Sequence, residues 1–244
     1  MILASERVSM SDLQTIACAT PAPGVLLLTL NRPEVANALN TQMGRDLHSL
    51  FLGLILDPGE LRCVVVTGAG EKAFCAGGDL KERNGMSDET WRRQHAIFEQ
   101  AFYAVMDCPV PVIAAVNGSA FGGGCELALA CDFVFAAEHA RFGLPETSLG
   151  IIPGAGGTQT LARAVGVRRA KELILSATPF SAQDALEWGL ANRVVRDDAL
   201  LPAALDCAGR IAANAPIAVR QAKRAIGVGI ETDLKTGLAI EIEA

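Results

Sequence analysis

Two runs in this chain, Cys63–Thr67 and Val110–Val116, are apolar at nearly every position and show no in-and-out alternation. Strands of that kind have both faces buried, as in a parallel sheet covered by helices. The segments between them agree. Val25–Leu30 is a third β-rich run, stopped by Asn31-Arg32-Pro33. Asn40–Leu56 has helical spacing through Leu39, Met43, Leu47, Leu50 and Leu54. Thr90–Met106 reads as an amphipathic helix with Trp91, Ile97, Phe98, Phe102 and Val105 on its apolar face. Cys125–Cys131 reads as a short helix, and Phe133–Ala136 and Ala140–Phe142 as short strands. From Gly157 onward the pattern is almost wholly helical, in five segments punctuated by Gly166, Ser181, Gly189, Pro202 and Pro216. An α/β core followed by a helical appendage is the expected architecture.

Charge and composition remove several functions. Lys and Arg number 21 against 27 Asp and Glu, a net charge of −6. No net positive field draws in a polyanion, so no nucleic-acid partner is expected. No apolar run approaches the roughly 18 residues needed to cross a bilayer. Met1–Met10 carries Ser5, Glu6 and Arg7 where a signal peptide needs an apolar stretch, so neither membrane nor secretion is expected. The 7 cysteines form no C-x-x-C pair, which points to a reduced, cytoplasmic setting. His48, His95 and His139 are scattered, and no metal site is expected.

Glycine-rich loops are the next feature. Gly68-Ala69-Gly70-Glu71-Lys72-Ala73 has the G-x-G-x-x-A spacing of a dinucleotide fingerprint. That fingerprint needs a helix to open inside it, yet Ala73–Gly78 brings another glycine pair and no helical period. A nicotinamide site is not expected. No Lys follows a Gly, which excludes a P-loop. Ala76-Gly77-Gly78-Asp79 and Phe121-Gly122-Gly123-Gly124 each follow a buried strand, and the second opens into a helix. Such loops serve as tight turns and close-packing points. They also leave N–H groups unobstructed, and two N–H groups converging on one oxygen make an oxyanion hole.

Two carboxylates stand beside these loops. Glu126 falls in the first turn of an otherwise apolar helix, and Glu146 follows Pro145 just beyond a short strand. Taken singly, each is an ordinary helix-dipole partner or turn residue. Taken together in apolar surroundings, they form a candidate acid/base pair with raised pKa values.

Four ordered motifs resemble the enoyl-CoA hydratase/isomerase (crotonase) superfamily. They are Asn31-Arg32-Pro33 with Asn37-Ala38-Leu39; Phe74-Cys75-Ala76-Gly77-Gly78-Asp79-Leu80-Lys81; Asn117-Gly118 through Glu126-Leu127-Ala128; and Phe142-Gly143-Leu144-Pro145-Glu146 through Pro153 to Gln159. The likeness extends from about Val25 to Glu243. It implies a crotonase-like spiral of ββα units, with residues 1–180 as the α/β core holding an acyl-CoA site. Residues 181–244 would form a helical region for trimerisation, with two trimers pairing into a hexamer. Apolar residues of the C-terminal helices (Leu173, Ile174, Leu186, Leu205, Ile211, Ile226, Leu238, Ile240) exceed one small core's need, in keeping with an interface.

By the same resemblance, the N–H groups of Gly78 and Gly123 hold the thioester oxygen. Ala76, Gly78, Asp79, Leu80 and Lys81 line the adenine and pantetheine path, with Ala36 nearby. Glu126 and Glu146 match the two glutamates of the true hydratases, Glu126 acting mainly on water and Glu146 on the C2 proton. The implied reaction, within lipid and fatty-acid metabolism, hydrates a 2-trans-enoyl-CoA. It needs no cofactor, since coenzyme A is part of the substrate. Departures are a Gly at position 78 where many relatives carry Ala, and the helical, basic tail with which relatives continue past the position of Ala244. The alternatives are an enoyl-CoA isomerase, or an enzyme like the methylglutaconyl-CoA hydratases that also bind AU-rich RNA, which Leu80–Arg83 and Asp233–Ala239 resemble. RNA contact there is attributed to a lysine-rich helix; the matching stretch here, Asn37–Glu60, has no Lys.

Overall fold

The structure is a computed structural model and describes residues 12–244; the Met1–Met10 segment lies outside the described residues. The chain opens with a hairpin, β1 (Ile16–Ala22) and β2 (Val25–Leu30), paired antiparallel from Ile16 opposite Leu30. Helix α1 (Thr41–Leu56) follows, capped by the Asn40 side chain accepting from the Met43 N–H. The next elements are β3 (Cys63–Gly68), β4 (Ala73–Cys75), α2 (Leu80–Arg83), α3 (Asp88–Met106), β5 (Val112–Val116), β6 (Ser119–Phe121), α4 (Gly123–Ala130), β7 (Phe133–Ala137) and β8 (Arg141–Gly143). Then come α5 (Gly157–Val165), α6 (Val167–Ser176), β9 (Phe180–Ser181), α7 (Ala182–Glu187), β10 (Arg193–Val195), α8 (Asp197–Ala212), α9 (Pro216–Gly229) and α10 (Leu234–Glu243).

Two sheets grow side by side. The larger has the order β1-β2-β3-β5-β7-β10, parallel from β2 onward, and the smaller has the order β4-β6-β8-β9. The pairs β3/β4, β5/β6 and β7/β8 each send their first strand to the large sheet and their second to the small one. That repetition is the ββα spiral. As their apolar runs require, every residue of β3 and β5 is buried. Helix α8 covers β2, β3, β5 and β7, while α1 packs on α3.

Several elements differ from the sequence-based reading. The region after Gly157 is almost wholly helical as expected, but two short strands the reading did not place, β9 and β10, interrupt it and join the small and large sheets respectively. Six helices occupy it rather than five segments. Strands of two or three residues carry no measurable period, so β4, β6, β9 and β10 are invisible to periodicity. On α3, Phe98, Phe102 and Val105 are buried as expected, but Trp91 is 39% exposed and Gln94, at 2%, takes an inward position. The N-terminal half of α3 borders a cavity rather than the core.

Helix α4 approaches β4 with no side chain between the backbones. A Cβ on Gly124 would be driven into the Cys75 carbonyl, and a backbone carbonyl cannot swing aside. Gly53, inside α1, has nothing within 4 Å of a built Cβ. Gly124→Ala is therefore expected to cost roughly 3 kcal/mol, the upper range for overpacking, read as a lowered Tm. Gly53→Ala should instead stabilise by about 0.8–1.0 kcal/mol, the helix preference of Ala over Gly. Equal Tm shifts for the two variants would contradict this picture of α4.

Candidate active site

The site is assembled on the two glycine loops, and the Asn-containing turns hold them. Buried Asn37, in the left-handed region at φ +55°, donates from Nδ2 to the carbonyls of Ala69 and Ala73, both at 2.9 Å. Its Oδ1 accepts the Arg32 N–H at 3.0 Å. Asn117 braces the other side, donating to the carbonyls of Gly68 and Gly70 at 3.0 and 2.8 Å. Leu39 then clamps the first loop: its N–H donates to the Gly77 carbonyl at 2.8 Å, and its carbonyl accepts the Asp79 N–H at 2.9 Å. In a parallel bridge of this pattern, Gly78 itself faces the other way, so its N–H is turned from Leu39. Gly123 is the first residue of α4, where an N–H has no carbonyl partner inside its helix. The loops nearly touch. A Cβ on Gly77 would lie 2.7 Å from the Phe121 carbonyl and 3.5 Å from the Gly123 nitrogen.

Both glutamates face the space beside these loops. Glu126, 4% exposed, accepts the N–H groups of Ala155 and Gly157 on Oε1 at 2.7 and 2.8 Å. Burial raises its pKa; those two N–H donors, with His95 and Arg83 nearby, oppose the rise without cancelling it. Glu146 opens a 3-10 turn, Glu146–Leu149, and is 9% exposed. Its Oε2 is buried with no hydrogen-bond partner among the described residues. Burial, reinforced by the Glu126 charge, pushes its carboxyl up to about 7. The pair is thus unequal, one oxygen well solvated by backbone amides and another left bare.

Together these groups line a cavity of about 670 Å³ whose walls include Leu39, Ala76, Gly78, Leu80, Gly123, Glu126 and Glu146. Three predicted contact residues do not line it. Asp79 is 8% exposed and caps α2 through the N–H groups of Lys81 and Glu82, while pairing with Arg32 at 2.9 Å. Burial favours its neutral form, but Arg32 and the two amides prevail and hold its carboxyl below the usual range. Lys81 is exposed, away from the cavity lining. Ala36, at φ +53°, acts through its carbonyl, which accepts the Ala76 N–H at 3.0 Å. The sequence reading gave no site role to Arg83, Trp91 or His95, all on the cavity wall. Polar residues on a helix flank carry no signal until α2 and α3 are folded against the loops. Among the described residues, no group of three or more His, Cys, Asp or Glu is placed to hold a metal ion. No described helix is long and apolar enough to cross a membrane.

The family model described as "Enoyl-CoA hydratase/isomerase" matches residues 21–244. The chain belongs to that family. A short-chain-enoyl-CoA hydratase of Clostridium acetobutylicum is 44% identical over 220 residues, 90% of this chain and 84% of that protein. A crotonyl-CoA hydratase of Syntrophomonas wolfei is 41% identical over 218 residues, 89% of this chain and 84% of the relative. Among solved structures, an enoyl-CoA hydratase from Bacillus anthracis superimposes with a TM-score of 0.92 at 49% identity, covering 94% of this chain and 89% of that one. The ββα spiral with its C-terminal helices is the crotonase fold shared with these structures.

Glu146 makes the site measurable through stability. Its folded pKa of about 7 exceeds the ordinary 4.5, so the unfolded chain ionises first. Its contribution to stability is fully present below about pH 4.5 and is lost as pH rises through about 7. Glu146→Gln, which does not titrate, should gain in Tm relative to wild type between pH 5 and pH 8. A Tm difference that stays flat across that window would show that Glu146 is not held in this environment.

Proposed function

We propose that this chain is an enoyl-CoA hydratase: it adds water reversibly across the C2–C3 double bond of a 2-trans-enoyl-CoA, giving the 3-hydroxyacyl-CoA. The observation that carries the proposal is the pair of buried carboxylates, Glu126 and Glu146, on one cavity wall beside two glycine loops. The names of its relatives support the same reaction.

The chemistry follows from charge. As water attacks C3, electrons move through C2 onto the thioester oxygen, which becomes enolate-like. The N–H groups of Gly78 and Gly123 are assigned to that oxygen as its oxyanion hole. Losing one donor of this kind costs about 2.7–4 kcal/mol in comparable sites. Glu126, the better-solvated carboxylate, holds the water and takes its proton as the C3–O bond forms. Glu146, poised near neutrality, gives the proton that C2 receives. The proton gained by Glu126 passes to Glu146 or to bulk water, so the net change is one water added. An isomerase moves a proton between C2 and C4 and uses one such group; two carboxylates on one wall favour hydration. Ala76 and Leu80 line the route for the pantetheine arm, with Ala36 holding Ala76 and Asp79 fixing α2 behind them.

The assembly is proposed on the same footing. Helices α9 and α10 and the turn between them leave Ile226, Ile230, Leu234 and Ile242 at least 73% exposed, whereas Leu173 and Ile174 are taken up by the core. A stripe of that size calls for cover by other copies of the chain, as a trimer or a pair of trimers.

Crotonyl-CoA should lose its 2-enoyl absorbance in the presence of the enzyme. Movement of a 3-enoyl double bond to C2 with no hydration would favour the isomerase instead. Glu126→Gln and Glu146→Gln should each lower kcat by roughly 10²–10⁴-fold. The double variant should fall far less than the product of the two, because both groups serve one water and one substrate. A Glu146→Gln enzyme that keeps most of its kcat would remove Glu146 from the mechanism. Light scattering at micromolar concentration should give a trimer or hexamer mass, and a monomer would refute the interface.

A further inference from the structure

The turn whose amides solvate Glu126 is held mainly by packing. Among the described residues, positions 152 to 155 take part in one hydrogen bond, from the Ala155 N–H to Glu126 Oε1 at 2.7 Å. Two residues later the Gly157 N–H reaches the same oxygen at 2.8 Å. Pro153 is buried, and Gly154 beside it meets the imidazole of His95. A Cβ on Gly154 would lie 2.7 Å from His95 Cε1 and 3.6 Å from each ring nitrogen, so the ring aims its Cε1 edge at this glycine. Gly154 is not in the left-handed region. Space, rather than backbone conformation, is what demands a glycine there.

The imidazole is itself fixed. Its face stacks on Trp91, one helical turn earlier on α3, with centroids 5.1 Å apart and planes 7° from parallel. Its nitrogens make no hydrogen bond among the described residues; Glu99 Oε1 stands 3.7 Å from Nε2, beyond hydrogen-bond distance. The other thing His95 can offer is charge. With Arg83 it opposes the upward push of burial on the Glu126 pKa, and Glu146 is the second carboxylate coupled to Glu126. The reaction described above gives His95 no proton to carry.

We propose that His95 is a positioning residue: its ring, backed by Trp91, seats Gly154 and thereby holds the Ala155 and Gly157 amides on Glu126 Oε1. The proposal rests on the hydratase reading only where turnover is the readout. Without the ring, the turn can retreat toward the space it leaves. The amides then part from Oε1, and the buried carboxylate keeps fewer donors for its anion and loses its aim at the water.

His95→Ala should lower kcat on crotonyl-CoA by roughly 10–100-fold, the scale of a misplaced catalytic group, with KM little changed. Titration of Glu126, followed by carbon NMR of isotope-labelled glutamate with Glu126→Gln to assign the signal, should move to higher pH. Losing an imidazolium charge would move it the same way, so the deciding variant is the double one. In His95→Ala/Gly154→Ala the new methyl occupies space the ring has vacated, and both kcat and the titration should return most of the way to wild type. Gly154→Ala alone should be impaired, because Trp91 backs the ring and the turn has to give way. A double variant no better than His95→Ala overturns the proposal, by assigning His95 a charge rather than a fit. A Glu126 titration that His95→Ala leaves unmoved overturns it too. Should His95→Ala fail to fold, Gly154→Ala decides on the same titration, and an unmoved signal there is equally fatal. A wild-type enzyme that hydrates no enoyl-CoA would sink the hydratase reading, while the Glu126 titration would still decide the role of His95.

Discussion

The meeting of α4 with β4 is the contact on which the site depends. At Gly124 a helix backbone lies directly on the Cys75 carbonyl, closer than any side chain permits. That approach brings the start of α4 alongside the Gly77–Gly78 loop, so that amides from two different ββα units face one cavity. It also sets Glu126, in the first turn of α4, deep enough to be buried, yet within reach of the Ala155 and Gly157 amides. Substituting any larger residue would separate the loops before it altered either glutamate. Gly77 and Gly122 serve a second purpose, since both sit in the left-handed region, at φ +94° and +51°. There the backbone turns sharply enough to present the following amide to the cavity.

Once the loops are in register, the environment divides the work between two identical side chains. Glu126 exchanges water for two fixed N–H donors on one oxygen, which keeps its anion tolerable in a buried place. Glu146 receives no such compensation on Oε2, and the like charge of Glu126 adds to its difficulty. One carboxyl therefore stays the readier base and the other holds its proton to near neutrality. The second arrangement stabilises no fold. A buried oxygen without a partner is a standing cost, and its persistence beside unobstructed amides points to chemistry rather than architecture.

Much of this was legible in the sequence, for identifiable reasons. Unalternating apolar runs announced β3 and β5, and periodic stretches announced α1 and α3. The glycine clusters and Glu126 and Glu146 stood out because their types conflict with their neighbours, the usual mark of a site. What escaped was of two kinds. Strands such as β4 and β9 owe their existence to partners far along the chain, and two or three residues leave no period. Contacts such as Asp79 with Arg32, or Arg83 with Gln94, link positions 47 and 11 apart and exist only in the folded molecule. The resemblance makes Asp79 a substrate contact; in the folded chain it is the cap and ion pair that anchor α2.

The division between what was readable and what was not follows the division of labour in the site. In the proposed reaction, backbone amides and the two glutamates serve atoms common to every enoyl thioester, and they come from tight turns and the first turn of a helix, where sequence leaves little freedom. The rest of the cavity wall includes side chains of α2 and α3, whose inward faces are set by how those helices lie across the loops. Arg83 illustrates the point: its direction is fixed by Gln94 on the next helix and its space by the missing Cβ of Gly78. An alanine at position 78 would keep the amide yet crowd the guanidinium, since a Cβ there comes within 3.1 Å of Cζ. The glycine is thus neutral for the amide and permissive for the guanidinium. One residue without a side chain thereby makes room for the cation beside the first glycine loop.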